Sequence, residues 1–197
     1  MSGILKIGKD KNNKKATVSI ENVVASAILN QRISLFDIVN AFDNVDYRPE
    51  QFPGLVFRLK KPQTATLIFS SGKMVCTGSK SEKSAIKAIH KVVNELKKKK
   101  IVIHGKPEIT IQNIVASASL PSRVDIDRTA ALLERTMYEP EQFPGLIYRM
   151  TEPKVVMLIF ASGKLVCTGA KHESQVYEAV DKLYKQLQDN GLLYEAE

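Results

Sequence analysis

The side chains that could support catalysis or metal binding do not form a recognisable motif. His90, His104 and His172 are far apart in the chain and lack cysteines or carboxylates at metal-ligand spacing, so neither a metal site nor a catalytic triad is predicted. Gly72-Lys73 resembles the end of a phosphate-binding loop, but the upstream glycine and the following Ser or Thr are missing. The sequence therefore favours a binding protein over an enzyme and indicates no metal and no cofactor.

The composition is that of an ordinary globular protein without a disulfide framework. Of 197 residues, 44% are apolar and 25% are charged, which excludes a disordered chain. The longest apolar run, 155–161, is far shorter than the roughly 20 residues of a membrane-spanning helix. The lysine-rich start lacks the apolar stretch of a signal peptide, so no membrane association is predicted. Cys76 and Cys167 have no CxxC partner and are predicted to be buried strand thiols.

The charge is positive and unevenly distributed. The chain has 29 Lys and Arg against 21 Asp and Glu, a net charge of +8, which favours nucleic acid or an acidic partner. Residues 1–100 contain 19 basic and 8 acidic side chains, a net of +11, whereas residues 101–197 contain 10 and 13, a net of −3. Partners of opposite charge can therefore orient the molecule.

An internal repeat at an offset of 91 residues decides the architecture. Segment 47–80 is identical to segment 138–171 at 21 of 34 positions without a gap. The shared motifs are PEQFPGL, LIF, SGK and VCTG, and an Asn-x-Val-Ala-Ser motif that begins at Asn22 and again at Asn113. Asp125 and Asp127 have no acidic counterparts in the first copy. A catalytic pair in a duplicated protein would be expected in both copies, so these two residues are not predicted to be catalytic. Two copies predict a pseudo-two-fold pair, because a solenoid needs at least three.

Each copy is predicted to contain several strands followed by a long helix. Ser34 is typical of the N-cap of a short helix that runs to about residue 42, and a Pro-rich loop follows. The strands of the first copy are predicted over 16–29, 55–59, 64–70 and 74–77, and the long helices over 81–100 and, in the second copy, 173–187. The predicted fold class is α+β. The predicted domains are a basic segment 1–15, a first repeat 16–100, a second repeat 101–189 and a tail 190–197.

Strand alternation predicts a sheet with one covered face and one open face. Ile68 and Cys76 are expected under the helix, and their neighbours point to the other side. The open face of the first copy is predicted to show Asn22, Val24, Val56, Leu67, Phe69, Val75 and Thr77. The second copy is predicted to show Asn113, Val115, Ile147, Leu158, Phe160, Val166 and Thr168. An exposed apolar sheet of this size needs a ligand or partner.

The paired loops, hairpins and Asn-x-Val-Ala-Ser strands together resemble the TATA-box-binding protein family, from about residue 16 to residue 187. The resemblance implies a saddle of two pseudo-symmetric repeats with one continuous curved antiparallel sheet and long helices on the convex face. It implies that the concave face binds double-stranded TATA-box DNA in the minor groove and bends it. The implied function is that of a non-enzymatic general transcription initiation factor.

The resemblance assigns a role to each duplicated position. The wedges that unstack base steps are implied to be Phe52, Phe69, Phe143 and Phe160. Asn22 and Asn113 match asparagines that donate to adenine N3 and thymine O2. The other implied base-edge residues are Thr77, Thr168, Val24, Val115, Val75, Val166, Leu67 and Leu158. The implied phosphate contacts are Arg58, Lys73, Lys80, Arg149, Lys164 and Lys171. The family often has a basic residue at the position of Gln51, so one phosphate contact is expected to be missing.

The resemblance also implies protein partners. Transcription factor B is implied to dock on the loop 138–141, at Glu139 and Glu141, and to recruit RNA polymerase to the promoter. The equivalent of Glu139 in the first copy is Arg48, so the two loops differ in charge. Self-association of the free chain through the apolar face is an alternative that the sequence leaves open.

Two further function classes stay open from the sequence. Some base-excision glycosylases contain a related duplicated saddle, but they need a base-flipping pocket and a positioned nucleophile, and no such motif is present. A general chromatin-bending protein is the other alternative. The chain starts almost at the repeat core, which is typical of archaeal members of the family. An archaeal member is expected in the cytoplasm at the nucleoid, and a eukaryotic one in the nucleus.

Overall fold

The computed structural model describes the backbone of Leu5–Ile7 and all of residues 16–194. The rest of the predicted basic segment 1–15, and residues 195–197 of the predicted tail, lie outside the described residues. The strands are β1 (Leu5–Ile7), β2 (Ala16–Ile28), β3 (Val45–Asp46), β4 (Leu55–Lys60), β5 (Gln63–Ile68), β6 (Lys73–Ser79), β7 (Glu108–Ser119), β8 (Arg123–Val124), β9 (Thr136–Met137), β10 (Leu146–Arg149), β11 (Val156–Ile159), β12 (Lys164–Ala170) and β13 (Leu193–Tyr194). The helices are α1 (Leu35–Ala41), α2 (Glu82–Lys98), α3 (Ile126–Leu132) and α4 (Glu173–Asp189).

The described chain divides into two compact units. The first unit is Asn22–Gln112, and the second unit is Asn113–Glu197 together with Met1–Glu21, each within the described residues. In the first unit the antiparallel strand order is β3-β4-β5-β6 followed by the later part of β2. In the second unit the order is β9-β10-β11-β12 followed by the later part of β7. The second unit also contains the β8-β13 pair, and β1 pairs there with the start of β2.

Helix α2 covers one face of the sheet in the first unit. Its N-cap is Ser81, whose side chain accepts a hydrogen bond from the Ser84 N–H at 3.0 Å, so the first turn is satisfied. The apolar side chains of α2 recur at helical spacing and are all buried: Ala85, Ala88, Ile89, Val92, Val93 and Leu96. They pack on β4, β5 and β6. The amphipathic pattern thus places the long helix on the sheet, as the periodicity predicts.

Helix α4 has the same role in the second unit. It follows the N-cap His172 and packs on β12. Its buried face consists of Val176, Ala179, Val180, Leu183, Tyr184 and Leu187. The α+β class, with antiparallel strands and one long helix per repeat, is confirmed. None of the described helices is long and apolar enough to cross a membrane.

Candidate nucleic-acid interface

The sheet face opposite the long helix is half-exposed in both units. Ile68 and Cys76 of the first unit are fully buried, whereas the residues that alternate with them are half-buried. The second unit repeats this division with Ile159 and Cys167 on the covered side. Every residue predicted on the open face is partly exposed in the structure. The period of two therefore assigned the two faces correctly.

Strand register places the predicted base-edge residues side by side. In the first unit one cross-strand row contains Val56, Leu67, Val75 and Ser26, and the next contains Arg58, Ala65 and Thr77. In the second unit the equivalent rows contain Ile147, Leu158, Val166 and Ser117, and then Arg149, Val156, Thr168 and Val115. Each unit therefore presents an apolar strip next to a row that ends in an arginine.

The Asn22 side chain is held in one orientation by the backbone of the neighbouring strand. Its Oδ1 accepts a hydrogen bond from the Gly78 N–H at 2.8 Å, and its Nδ2 donates to the Thr77 Oγ1 at 3.0 Å. Strand β6 has a bulge at this point, where the register with β2 shifts between Val23 and Ala25. Gly78 has a φ of +102°, a conformation that favours glycine. The amide oxygen is thus engaged inside the protein, and the amide nitrogen keeps one N–H to offer outward.

Asn113 repeats this arrangement in the second unit. Its Oδ1 accepts from the Gly169 N–H at 2.7 Å, and its Nδ2 lies 3.4 Å from the Thr168 Oγ1. Gly169 has a φ of +99° at an equivalent register shift of β12. The sequence predicted the asparagines and threonines but not the glycine that orients them. We call each Asn-Thr-Gly set an asparagine lock.

The predicted wedge phenylalanines form a ring pair in each unit. The ring centroids of Phe52 and Phe69 are 5.9 Å apart at 69°, an edge-to-face contact. Phe52 lies in the loop before β4, where its N–H donates to the Arg48 carbonyl at 2.9 Å, and its side chain is 43% exposed. A Cβ at Gly54 would lie 2.6 Å from the Phe52 ring. A side chain at this position of the PEQFPGL motif would therefore displace the rings, which lie directly over the glycine.

The second ring pair has nearly the same geometry. Phe143 and Phe160 have centroids 5.9 Å apart at 72°, and a Cβ at Gly145 would lie 2.6 Å from the Phe143 ring. Phe143 is 40% exposed. Both pairs border the open sheet face, since Phe69 and Phe160 directly follow β5 and β11. The structure thus brings together the four residues as two exposed two-ring units.

A tight turn places a lysine at the start of β6 and β12. Gly72, in the first SGK turn, has a φ of +87°, and a Cβ there would lie 2.2 Å from the Gln31 carbonyl oxygen. Gly163 has a φ of +84°, and its Cβ would lie 2.2 Å from the Ser122 carbonyl oxygen. Both glycines are therefore required by close backbone approach. They place Lys73 and Lys164 on the same strand face as Val75 and Val166.

The predicted phosphate-binding cations are all exposed. They are Arg58, Lys73 and Lys80 in the first unit and Arg149, Lys164 and Lys171 in the second. Arg58, Lys73, Arg149 and Lys164 have no ion-pair partner among the residues that the structure describes. Four unpaired cations at the edges of an apolar face are suited to an extended anion.

The two cysteines lie on the covered side of the sheet. Burial raises the pKa of the Cys76 thiol, an effect that the neighbouring Thr66 and Thr64 side chains partly oppose. Burial alone raises the pKa of Cys167 to about 12. Both remain neutral core thiols at physiological pH, as predicted. Within the described residues no group of three or more His, Cys, Asp or Glu side chains could hold a metal ion.

The loops that precede the ring pairs differ in charge. In the first unit Arg48 forms an ion pair with Asp46 at 3.2 Å. In the second unit Met137 takes the place of that aspartate, and both Glu139 and Glu141 are exposed. The backbone turn is the same, since the Glu139 carbonyl accepts the Phe143 N–H at 2.9 Å. The fold therefore offers two similar loops with different electrostatics.

Ser26 and Ser117 were not predicted as site residues from the sequence. Each lies on the open face next to Val75 or Val166. Ser26 Oγ accepts a hydrogen bond from Gln112 Nε2 at 2.8 Å, and Ser117 Oγ donates to the Glu21 carboxylate at 2.6 Å. The signal was present, because both serines continue the alternation that begins at the asparagines.

Three comparisons place this geometry among known proteins. The family model "Transcription factor TFIID (or TATA-binding protein, TBP)" matches residues 17–99 and 108–190. The TATA-box-binding protein of Pyrodictium occultum is 57% identical over 88% of this chain and 87% of its own, and that of Sulfolobus acidocaldarius is 56% identical over 88% of each. The structure of Methanococcus jannaschii TBP matches with a TM-score of 0.79 and 48% identity over 87% of this chain and 98% of that one.

Proposed function

The chain belongs to the TATA-box-binding protein family, and from that premise we propose that the half-exposed sheet face of each unit is the surface that binds TATA-box DNA. The chain is a general transcription initiation factor, a DNA-binding protein and not an enzyme. The observation that supports this surface most strongly is the duplicated asparagine lock, which lies on an apolar face beside an exposed ring pair.

The asparagine locks suit the minor groove because each turns an amide N–H outward. The minor-groove edges of A·T pairs offer the acceptors adenine N3 and thymine O2, whereas a G·C pair adds the guanine N2 donor. The Oδ1 atoms of Asn22 and Asn113 point to a backbone N–H of the protein, so each amide turns its Nδ2 N–H, a donor, toward the groove and opposes that guanine amino group. The surrounding valines and leucines offer the guanine amino group no hydrogen-bond acceptor. The surface therefore favours A·T steps.

The ring pairs supply the bending. An apolar ring inserted at a base step unstacks it and kinks the duplex, at a cost of about a few kcal/mol per step. The larger contact area that a bent duplex makes with the protein offsets this cost. Phe52 and Phe143 are exposed in their loops. Each contacts a second ring, so every proposed wedge consists of two phenylalanines. The unpaired cations hold the phosphates on either side.

Selection of binding sites from random duplex DNA tests this function directly. The expected winner is an A·T-rich site that the full chain bends, with the bend read from fluorescence transfer between labels at the two duplex ends. Random DNA that competes as well as the winner would identify a general DNA-bending protein. Release of a damaged base from a lesion-containing duplex would identify a base-excision enzyme. Either result overturns the proposal.

We further propose that transcription factor B docks on the second unit at Glu139 and Glu141 and thereby recruits RNA polymerase. A cationic partner is attracted to these exposed carboxylates and repelled by Arg48, which occupies the equivalent position in the first unit. This charge difference gives one orientation on a site that the two sheet faces alone would read almost symmetrically.

The docking proposal is tested by Glu139→Arg with Glu141→Arg. DNA binding and bending should stay nearly intact, and the supershift by transcription factor B should be lost. Glu50→Arg, which changes the residue equivalent to Glu141, is the matched control and should leave the supershift in place. A normal ternary complex with the double variant would place the docking surface elsewhere. We also propose the nucleoid as the site of action and residues 16–100 and 101–189 as the two functional repeats.

A further inference from the structure

A groove in the first unit lies between α1 and the segment that follows α2. Its volume is about 590 Å³, and its charged lining residues are Arg32, Asp37, Lys99 and Lys100. We call it the Lys100 groove. All four side chains are exposed, and none of them forms an ion pair within the part of the chain that the structure describes. The groove therefore presents three unpaired cations and one carboxylate.

Lys100 has a backbone conformation that favours glycine, with a φ of +64°. It ends α2 in a Schellman motif, in which the Ile101 N–H donates to the Leu96 carbonyl at 3.1 Å and the Lys100 N–H to the Lys97 carbonyl at 3.0 Å. The same helix end in the second unit has Gly191, with a φ of +62°. A lysine is strained at this position, and a role for its side chain in the groove explains why glycine does not occupy it.

The second unit uses its own side chains at the equivalent place. Arg128 donates to the Gly191 carbonyl at 3.4 Å, and Arg123 lies over the Tyr194 ring, 5.7 Å from its centroid. The first unit has Asp37 in place of Arg128 and an isoleucine in place of the tyrosine, so neither of these internal contacts can form there. The cations of the Lys100 groove are thus left for an external ligand.

One wall of the groove is held in place by Gln31. Its Nε2 donates to the Val102 carbonyl at 2.8 Å, and its Oε1 accepts from the His104 N–H at 2.6 Å. The Val102 side chain also lines the groove and is 68% exposed. A ligand would meet an ordered wall with an apolar side chain beside the cations, and such preorganisation favours binding.

We propose that the Lys100 groove binds an acidic segment of a partner protein. Aspartate and glutamate side chains of the segment pair with Arg32, Lys99 and Lys100, and an apolar side chain packs on Val102. Nucleic acid suits the groove less well, because its phosphates would meet the Asp37 carboxylate and its phosphate backbone offers no apolar group to Val102.

A fluorescently labelled peptide of glutamates with one central leucine, about ten residues or roughly 33 Å when extended, is the probe. It should bind the full chain in an anisotropy titration, and the same peptide with glutamine for glutamate should not. Lys100→Gly should weaken binding by about two- to fivefold, the effect of one exposed ion pair. Because Gly191 occupies the equivalent position, this variant should fold, and its midpoint of thermal unfolding should be unchanged or higher.

Two further variants and one control sharpen the test. Arg32→Ala with Lys100→Gly should weaken binding by about tenfold. Asp37→Asn should strengthen it by about twofold, because a like charge is removed from the groove. The matched control is Lys87→Ala, which removes one exposed charge of α2 outside the groove and should leave the affinity unchanged at physiological salt.

Three results would overturn the proposal. The first is equal affinity of wild type and Lys100→Gly, or no binding of the acidic peptide to wild type. The second is an equal loss with Lys87→Ala, which would show general attraction to a basic protein. The third is tighter binding of single-stranded DNA to wild type than to Lys100→Gly, which would assign the groove to nucleic acid. The peptide titrations contain no TATA-box duplex, so their outcome is independent of the proposed DNA surface.

Discussion

The cores beneath the two long helices differ in polarity, whereas the two open faces are nearly the same. Under α2 the first unit buries three hydroxyl side chains: Thr64, Thr66 and Ser79. The equivalent residues of the second unit are apolar: Val155, Met157 and Ala170. The open face retains Asn, Val, Leu, Phe and Thr in both units. A duplicated unit can therefore change the polarity of its interior, while its open face keeps its residues.

The exposed sides of the two long helices also differ, in this case in their charge. Helix α2 ends in Lys97 and Lys98 and has only two acidic residues along its length. Helix α4 alternates the two charges, with ion pairs Lys182–Glu178 at 2.8 Å and Lys185–Asp181 at 2.7 Å. Exposed pairs of this kind add little stability. Their effect is to make the two helix faces electrostatically distinct, so that different partners can use them.

The ring pairs give the largest expected effect and test whether the two units contribute equally. Phe52→Ala with Phe69→Ala should lower the affinity for TATA-box DNA by about one to two orders of magnitude. Without the rings, the contacts that offset the unstacking cost of about a few kcal/mol per base step are lost. Phe143→Ala with Phe160→Ala should do the same at the other end of the site. Fluorescence transfer should show a smaller bend in both variants. Phe36→Ala is the control, and an unchanged bend in both double variants would contradict the wedge role.

The asparagine locks give the next effect. Asn22→Asp and Asn113→Asp should each lower affinity for an A·T-rich site by about 1–3 kcal/mol, since a carboxylate accepts the glycine N–H but donates nothing to the groove. Anisotropy titration against one duplex measures both variants. Asn94→Asp, the same change at an exposed position of α2, should leave affinity intact. If only one of the two open-face variants lost affinity, the units would read DNA differently despite equal geometry.

The core difference predicts a change in stability. The Ser79 hydroxyl is buried without a hydrogen-bond partner among the described residues, and such a group costs about 1–3 kcal/mol. Ser79→Ala, which installs the residue of the second unit, should raise the free energy of unfolding by about 1 kcal/mol. Ala170→Ser should lower it by a similar amount. Urea titrations followed by circular dichroism measure both, and the same sign for both changes would refute this account of the core.

The salt dependence gives the smallest effect. Six phosphate contacts predict that log K falls with log salt at a slope of about −5. Lys73→Ala and Lys164→Ala should each make the slope shallower by about one without altering the preferred sequence. Lys87→Ala, on the exposed side of α2, should leave the slope unchanged. A slope near zero for the wild-type chain would reject the phosphate contacts altogether.

Much of the fold could be predicted because local signals agree with it. Ser34 and Ser81 mark the helix starts as expected, and alternation separates Ile68 from Leu67 across the sheet. The two-residue strands β3, β8, β9 and β13 were missed, since two residues carry no periodicity. The pairing of β1 with β2 was missed as well, since the three residues of β1 are too few to show a period.

The finer geometry of the site could not be predicted. The asparagine lock depends on a bulge that brings the Gly78 N–H to Asn22 across 56 positions of the chain. The closeness of Phe52 and Phe69 depends on a loop whose glycine has no side chain beneath the rings. Both features depend on contacts between segments that are apart in the chain, and local sequence patterns do not show which segments meet.

The hydrogen bond from a backbone N–H to each asparagine also has an entropic consequence. An ordinary surface asparagine samples several rotamers, and immobilising such a side chain on binding costs about 0.5–1.5 kcal/mol. In Asn22 and Asn113 the fold has already fixed those torsions through Gly78 and Gly169. On the proposed DNA surface these two amide groups would therefore be ordered before a duplex binds, because the conformational entropy that recognition would otherwise lose has been lost during folding.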